Sequence, residues 1–265
     1  MARFESYAAG QFSWVDLMSK DPEASKAFYA ALFGWKGADN RDDQGGGYTM
    51  FQMSGLDIAG MGVMSEEMKA SGMPPVWSSY VTVEDCDASA AHARALGGEL
   101  QMPVIDIEVG GGLVGRMTVL ADPEGARISL WQPGRHAGAA IANEPGTFAW
   151  NELMTRDVDG ARRFYGQLFG WDVAPIDGAE NGYQEIRVGG RSNGGMLPWH
   201  AEMGEMPAAW SVYFAVRDCD EAVRKIQELG GDQLVPPTEV GAGRFAVVAD
   251  PQGAVFNVMA MNTAA

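Results

Sequence analysis

The chain repeats itself, and this internal duplication limits the folds it can adopt more than any other feature of the sequence. Three stretches of the first half recur in the second half: 12–35 at 148–171, 76–87 at 209–220, and 115–131 at 243–259. The offset between matching residues falls only from 136 to 133 and then to 128. The two halves therefore share one fold and differ by short loop deletions.

The repeat also predicts where the chain divides. With 265 residues, it is about twice the usual length of one domain. The segment QPGRHAGAAIANEPGT (132–147), between the two copies, is rich in Gly, Pro and Ala and is typical of a linker. We expect an N-terminal domain over 1–132, a linker over 133–147 and a C-terminal domain over 148–265.

Each half contains two smaller units with the same order of one strand, one helix and three strands. In the first unit, FSWVDLM (12–18) predicts a strand and DPEASKAFYAALFG (21–34) predicts a helix. Asp21 can cap this helix, Pro22 suits its first turn and Gly34 suits its end. The apolar residues at helical spacing, expected to form its buried stripe, are Ala24, Ala27, Phe28, Ala31 and Leu32.

This pattern predicts an α+β protein of four βαβββ modules, paired into two domains. Two modules side by side should form a curved antiparallel sheet. The helices then lie on its convex face, and the concave face forms a cup. A functional site is expected inside one or both cups.

Composition and charge narrow the partners. The chain is 46% hydrophobic and 20% charged, which is ordinary for a folded protein in water. Its net charge of −16 repels phosphate backbones and acidic lipids, so neither nucleic acid nor a membrane is an expected partner. No apolar run reaches the roughly 20 residues of a spanning helix, and the N-terminus lacks a signal-like apolar core. We expect a cytoplasmic monomer or homodimer that binds a small molecule.

Two motifs occur in both halves and carry a resemblance. The first, D-x-x-x-x-x-x-F-Y-x-x-L-F-G-W, runs from Asp21 to Trp35 and from Asp157 to Trp171. The second is D-P-x-G at 122–125 and 250–253. The chain resembles the vicinal oxygen chelate superfamily, which includes glyoxalase I, bleomycin-resistance proteins, extradiol dioxygenases and methylmalonyl-CoA epimerase. The duplicated W-x-[DE]-L-[MA]-[ST]-x-D form is similar to tandem glyoxalase-like proteins of actinobacterial type, often labelled as hydroxylases.

The resemblance implies positions where the enzymes of this superfamily hold a divalent metal. Counting from the motifs, the side chains at these positions are Trp14, Ser78 and Ser129 in the first half, and Trp150, Ser211 and Asn257 in the second. The fourth position falls in 58–64 or 194–199, which contain no His, Asp, Glu or Cys. Catalytic metals need about three imidazole, carboxylate or thiolate ligands. The sequence therefore predicts no metal site and no metal-dependent glyoxalase, dioxygenase or epimerase activity.

Alternation along the strands predicts which side chains face the cups. The ligand-binding candidates of the first cup are Trp14, Met18, Ser78, Tyr80, Arg127, Ser129 and Trp131. Those of the second cup are Trp150, Met154, Ser211, Tyr213, Asn257 and Met259. Apolar walls with a few polar anchors are typical of small-molecule pockets. A flavin or deazaflavin would fit aromatic walls, but no motif requires a cofactor and none is expected.

Asp16 and Glu152 are the candidate catalytic residues, because each adds a carboxylate to the predicted cup face. Desolvation beside Trp14 or Trp150 should raise the pKa of the carboxyl group, as a general acid or base requires. Alternatively, an ion pair between Asp16 and Arg127, or a hydrogen bond from Tyr80, only shapes the pocket.

Two functions of different class remain open from the sequence. The first is a metal-independent protein that holds an apolar or aromatic ligand. The second is a metal-free tailoring enzyme of hydroxylase, lyase or isomerase type that uses Asp16 or Glu152 as acid and base. A further alternative left open is that the aromatic side chains fill one or both cups as core.

Overall fold

The computed structural model describes residues 3–41, 47–176 and 181–262 of the chain. The strands of the first half are β1 (Phe12–Ser19), β2 (Lys36–Arg41), β3 (Gly47–Met53), β4 (Leu56–Val63), β5 (Val76–Thr82), β6 (Glu99–Leu100), β7 (Ile105–Val109), β8 (Gly112–Ala121) and β9 (Arg127–Pro133). The helices of this half are α1 (Pro22–Phe33), α2 (Glu66–Ala70) and α3 (Cys86–Ala95).

The second half repeats this order with small differences. Its strands are β10 (Phe148–Thr155), β11 (Asp172–Pro175), β12 (Gln184–Val188), β13 (Arg191–Pro198), β14 (Ala209–Ala215), β15 (Asp232–Val240), β16 (Gly243–Ala249) and β17 (Val255–Met261). Its helices are α4 (Val158–Phe169) and α5 (Cys219–Glu228), with a 3-10 turn at Ala201–Met203. The four βαβββ modules are present, although the first strand of the second module's three-strand run is split into β6 and β7.

Each half forms its own sheet. The strand order is β2-β3-β4-β1-β5-β9-β8-β6 in the first sheet, where β7 also pairs with β8, and β11-β12-β13-β10-β14-β17-β16-β15 in the second. The expectation of antiparallel sheets is wrong in one respect, because β1 lies parallel to β4 and β5 lies parallel to β9. In each module the helix returns the chain, so the first of the three following strands runs parallel to the opening strand. The three strands then alternate in direction, and the last one is therefore parallel to the opening strand as well.

The boundaries of α1 agree with the capping residues. Asp21 accepts a hydrogen bond from the Ala24 amide, and Gly34 ends the helix at a φ of 77°. The buried stripe differs from the expectation, because Ala24, Ala27 and Ala31 are exposed. The buried residues of α1 are Ser25, Phe28, Tyr29 and Leu32. The helix is rotated toward Tyr29 because its packing partner lies in the other half of the chain.

The two halves pack against each other through the faces that carry the helices. One hydrophobic core joins Phe28 and Trp77 of the first half to Phe214 and Phe256 of the second. A second core joins α3 and its strands to α4, including Cys86, Leu120, Phe164 and Trp171. The helices therefore form a layer between the two sheets, and the opposite face of each sheet is free to form a cup.

Buried hydrogen bonds cross this interface and use the repeated motifs. The Tyr29 hydroxyl donates to the Asp250 carboxylate at 3.1 Å, and the Tyr165 hydroxyl donates to Asp122 at 2.9 Å. Both Asp residues begin a D-P-x-G turn, and both Tyr residues belong to the long motif of the other half. Residues of the two repeated motifs thus form hydrogen bonds that join the halves.

The connection between the halves is packed rather than free. The Ala139 amide donates to the Ser13 carbonyl at 2.8 Å, and Ile141 is fully buried. In the described part of the chain, no helix is long and apolar enough to cross a bilayer.

Candidate functional site

The first cup is the face of the first sheet that carries Trp14 and Asp16. Two tyrosines, Tyr80 on the adjacent strand β5 and Tyr48 on β3, reach the Asp16 carboxylate. The Tyr80 hydroxyl donates to Oδ2 at 2.8 Å, and the Tyr48 hydroxyl donates to the same oxygen at 3.3 Å. The Trp14 indole Nε1 donates to the Tyr48 oxygen at 3.0 Å. Asp16 lies opposite Ser78 of β5 and Gly60 of β4 in the sheet register.

The second cup, the face of the second sheet that carries Trp150 and Glu152, contains the same arrangement. The Tyr213 hydroxyl donates to Glu152 Oε1 at 2.7 Å, and the Trp150 indole donates to the Tyr183 oxygen at 2.8 Å. The Tyr183 hydroxyl also hydrogen-bonds to Glu152. Each cup therefore holds a tryptophan, two tyrosines and a carboxylate in one hydrogen-bonded network.

A glycine makes room for each network. An added Cβ at Gly60 would lie 1.8 Å from the Tyr48 hydroxyl oxygen, and one at Gly195 would lie 1.8 Å from the Tyr183 oxygen. Each tyrosine side chain thus crosses directly over a strand that has no side chain at that point. Any other residue there would displace the tyrosine from the carboxylate.

Burial shifts the titration of both carboxyl groups. It raises the pKa of Asp16 to about 6, against the opposite effect of hydrogen bonds from Tyr80, Tyr48 and Ser78. Burial also raises the pKa of Glu152, against hydrogen bonds from Tyr213 and Tyr183. The same burial raises the pKa of the tyrosines well above its ordinary value, so their hydroxyls remain hydrogen-bond donors.

The cups differ in access, and the first is filled with aromatic side chains. Trp14 is 4% exposed and Trp131 is 7% exposed. The imidazole of His136 meets the Trp14 ring edge-on, with ring centroids 4.5 Å apart. The Trp131 indole donates to the His136 carbonyl at 3.0 Å and its ring covers Gly115. The plug, defined as Trp14, Trp131 and His136, closes the first cup.

The second cup is more open to solvent. Trp150 and Glu152 are half-buried, whereas Trp14 and Asp16 are buried. Met259 occupies the strand position that Trp131 holds in the first cup. Phe245 lies beside Tyr213, with ring centroids 6.1 Å apart. This cup therefore presents aromatic walls around a partly accessible carboxylate.

The other site residues predicted from the sequence fall into two groups. Met18, Met154, Ser78 and Ser211 are half-buried, and Ser129, Asn257, Tyr80, Tyr213, Trp131 and Met259 are buried on strands of the two sheets. Arg127 is exposed at the start of β9, and among the described residues it does not contribute to the electrostatics of Asp16. The alternative of an Asp16–Arg127 pair is wrong. The hydrogen bond from Tyr80 is formed instead.

Three residues of the two cups were missed by the sequence reasoning. Tyr48 and Tyr183 match in the repeat, in GYTM and GYQE, and that match could have identified them. His136 lies in the segment expected to be a linker (133–147), and nothing in the sequence shows that this segment folds back over Trp14. Its buried Nε2 has no hydrogen-bond partner among the described residues.

The residues of the cups do not fit a divalent metal. Among the described residues, no group of three or more His, Cys, Asp or Glu side chains could hold one. Each network has one carboxylate, and its neighbours are phenol and indole groups, which are poor ligands when protonated. The two cysteines are buried, and burial raises the pKa of Cys86 and of Cys219 to about 11.

Two cupped sheets built from four βαβββ modules define a tandem glyoxalase-like protein. Residues 11–130 match the glyoxalase/bleomycin resistance protein/dioxygenase superfamily, and residues 150–259 match a glyoxalase-like domain. The chain belongs to this superfamily.

The similarity to curated relatives extends over nearly the whole chain. A Mycobacterium bovis protein named "Putative glyoxylase CFP32" is 39% identical over 262 residues, which cover 98% of each chain. The anthracycline biosynthesis protein DnrV of Streptomyces peucetius is 35% identical over 277 residues, covering 96% of this chain and 94% of that protein.

Solved structures show the same fold at low identity. The Mn(II)-bound glyoxalase from Novosphingobium aromaticivorans has a TM-score of 0.62 at 18% identity, covering 98% of this chain and 83% of its own. The 2,3-dioxygenase LapB from Pseudomonas sp. KL28 has a TM-score of 0.63 at 14% identity, covering 97% and 94%. At such identities the likeness extends to the fold alone.

Proposed function

We propose that this chain binds an apolar or aromatic small molecule without a metal ion, and that the second cup is the binding site. The observation that carries the proposal is the difference between two otherwise matching cups. Trp14 and Asp16 are buried behind a plug in the first cup, whereas Trp150 and Glu152 of the matching network in the second cup are only half-buried. A network used only for stability would have no reason to remain accessible in one copy.

The walls of the second cup support an aromatic ligand. Trp150, Tyr213 and Phe245 offer ring faces and edges, and Met154 and Met259 can adapt to a flat molecule. Small-molecule sites typically combine such walls with a few polar anchors. The names of relatives linked to anthracycline biosynthesis agree with a ligand of aromatic character.

Placing in the second cup the tryptophan that closes the first cup tests whether the second cup is the binding site. Met259→Trp places a tryptophan where Trp131 closes the first cup, and Gly243 matches the Gly115 that Trp131 covers. We expect calorimetric titration with 2-naphthol to show binding to the unaltered protein and at least about a tenfold loss in this variant. Leu234→Trp, at an exposed position of β15, is the control and should bind normally. Unchanged binding by Met259→Trp would exclude the second cup.

The metal-free part of the proposal has its own test. Protein purified without an affinity-tag metal should contain no stoichiometric divalent transition metal by elemental analysis. Its titration with 2-naphthol should not change after dialysis against EDTA. One metal equivalent per chain, lost on dialysis together with binding, would overturn this part.

Acid–base catalysis by Glu152 is a second candidate function. It is favoured by the raised pKa of this carboxyl group and by the two tyrosine hydroxyls beside it. A ketone such as 2-tetralone loses a proton from the carbon next to its carbonyl to a general base. We expect the protein to accelerate deuterium exchange at that carbon in D2O, as followed by NMR. The exchange should fall to the buffer rate in Glu152→Gln. No acceleration by the unaltered protein would remove this candidate.

A further inference from the structure

In the network around Glu152, the ring donors are all used in hydrogen bonds, whereas some acceptor positions are free. The Trp150 indole donates to Tyr183, and the hydroxyls of Tyr183 and Tyr213 both donate to Glu152. The three ring donors of the network are therefore committed to protein acceptors. An indole N–H and a tyrosine hydroxyl have one proton each, so none of the three has a second proton to offer.

The Glu152 carboxylate still has free hydrogen-bond acceptor positions. An ionised carboxylate has about four acceptor positions, and the two tyrosines occupy two of them at Glu152. None of the described ion pairs involves Glu152, and two arginines of the same sheet pair with other residues: Arg187 with Glu185, and Arg244 with Asp220 and Glu239. Within the described residues, Glu152 thus has free acceptor positions and no ion-pair partner.

The half-burial of Glu152 makes those free positions important for binding. A ligand that covers the cup removes water from the carboxylate, and a carboxylate that loses water without gaining a donor is costly. An apolar aromatic ligand would impose this cost. An anionic ligand would add repulsion between like charges. A ligand that brings its own hydrogen-bond donor replaces the water it displaces.

We infer that the second cup selects aromatic ligands that carry a hydrogen-bond donor, such as a phenol hydroxyl, which donates to Glu152 while the ring packs against Trp150. This inference rests on the proposed function and names the ligand class of the same site. The hydroxyl of Ser211, which lies opposite Glu152 in the register, can accept or donate beside that group. The cup discriminates against ethers and carboxylates built on the same aromatic ring.

Three naphthalenes that differ only in their 2-substituent test the inference by calorimetric titration at neutral pH: 2-naphthol, 2-methoxynaphthalene and 2-naphthoate. We expect 2-naphthol to bind at least about tenfold more tightly than the methyl ether, as a hydrogen bond to a charged group implies. The carboxylate should bind most weakly. In Glu152→Gln, the preference for 2-naphthol over the ether should shrink to about threefold or less. The exposed Glu108→Gln is the matched control and should keep the full preference.

The outcomes separate the inference from the proposed function. Equal affinity for 2-naphthol and its methyl ether, with both lost in Met259→Trp, would overturn the inference and leave the proposed site standing. A full preference that persists in Glu152→Gln would overturn the role of Glu152. Failure of all three probes to bind the unaltered protein would overturn both proposals.

Discussion

Each cup holds one carboxylate, Asp16 in the first and Glu152 in the second, that accepts hydrogen bonds from tyrosine hydroxyls. The repeat and strand alternation placed Asp16 and Glu152 on one face with Trp14 and Trp150, and the hydrogen bonds of the structure bring them together. Side chains two residues apart in a strand lie on the same face, so placing Trp14 in the cup also places Asp16 there. The resulting burial of Asp16 has a measurable consequence for stability.

Asp16→Asn should change the pH dependence of unfolding. Burial raises the pKa of Asp16 from 3.8 to about 6. Between pH 3.8 and about pH 6, the Asp16 carboxyl group is therefore protonated in the folded chain and ionised in the unfolded chain. The contribution of Asp16 to stability therefore falls as pH rises through this window, by up to about 3 kcal/mol. Relative to the unaltered protein, the variant should gain that amount in unfolding free energy between pH 4 and pH 7.

Urea unfolding at several pH values measures this difference. Asp172→Asn, at an exposed position of β11, is the control and should show a nearly constant difference from the unaltered protein. A constant difference for Asp16→Asn as well would mean that Asp16 is not the group that burial shifts.

Gly195 is the second residue with a sharp steric role. A Cβ at this position would lie 1.8 Å from the Tyr183 hydroxyl oxygen, so Gly195→Ala should drive the tyrosine away from Trp150 and Glu152. We expect at least about a tenfold loss of 2-naphthol affinity and a stability cost of about 1–3 kcal/mol. Calorimetry and urea unfolding measure both. Gly241→Ala, where no atom lies within 4 Å of the added Cβ, should change neither quantity appreciably.

At the scale of helices and strands, the sequence predicted which elements form but not which surfaces they share. The capping residues Asp21 and Gly34 set the ends of α1 locally, and the structure agrees with them. The buried side of α1 could not be read from the sequence, because Tyr29 points toward Asp250 of the other half. Apolar spacing favoured the alanines, and a polar contact across the interface determined the orientation.

Gln252 is the clearest case of one half holding an element of the other. Its side-chain oxygen accepts from the Asp21 amide at 2.8 Å, and its amide nitrogen donates to Ser25 Oγ at 2.6 Å and to the Asp21 carbonyl at 2.9 Å. Gln252→Ala should lower the free energy of unfolding by about 1–3 kcal/mol, because these groups at the start of α1 lose their partners.

Urea unfolding checks this change, with Gln227→Ala on the exposed side of α5 as the control. That control should be neutral or slightly stabilising, since alanine favours helix more than glutamine does. If the two variants were equally stable, Gln252 would not hold the start of α1. The affinity for 2-naphthol should not change in either variant, since both positions lie outside the cups.

At the scale of the whole molecule, the two halves of the chain share their hydrophobic cores. Both hydrophobic cores contain residues of both halves. The Tyr29–Asp250 and Tyr165–Asp122 hydrogen bonds are buried between the halves. A duplication in the sequence reveals that the copies have the same fold, but it gives no information about how they pack. The cups are consequently supported from behind by a shared layer.

Tyr165→Phe should therefore destabilise both halves together. The change removes the hydroxyl that donates to Asp122 Oδ2 at 2.9 Å and accepts from the Trp210 indole at 2.9 Å. Asp122 Oδ2 and the indole N–H lose this partner at a cost of about 2–4 kcal/mol. Hydrogen exchange by mass spectrometry should show faster exchange in peptides from 12–35 as well as from 158–169, because the halves unfold as one unit. Tyr7→Phe, which removes one hydrogen bond to the Ala139 carbonyl, should have a smaller effect. Faster exchange confined to the second half would show that the halves unfold independently despite their shared cores.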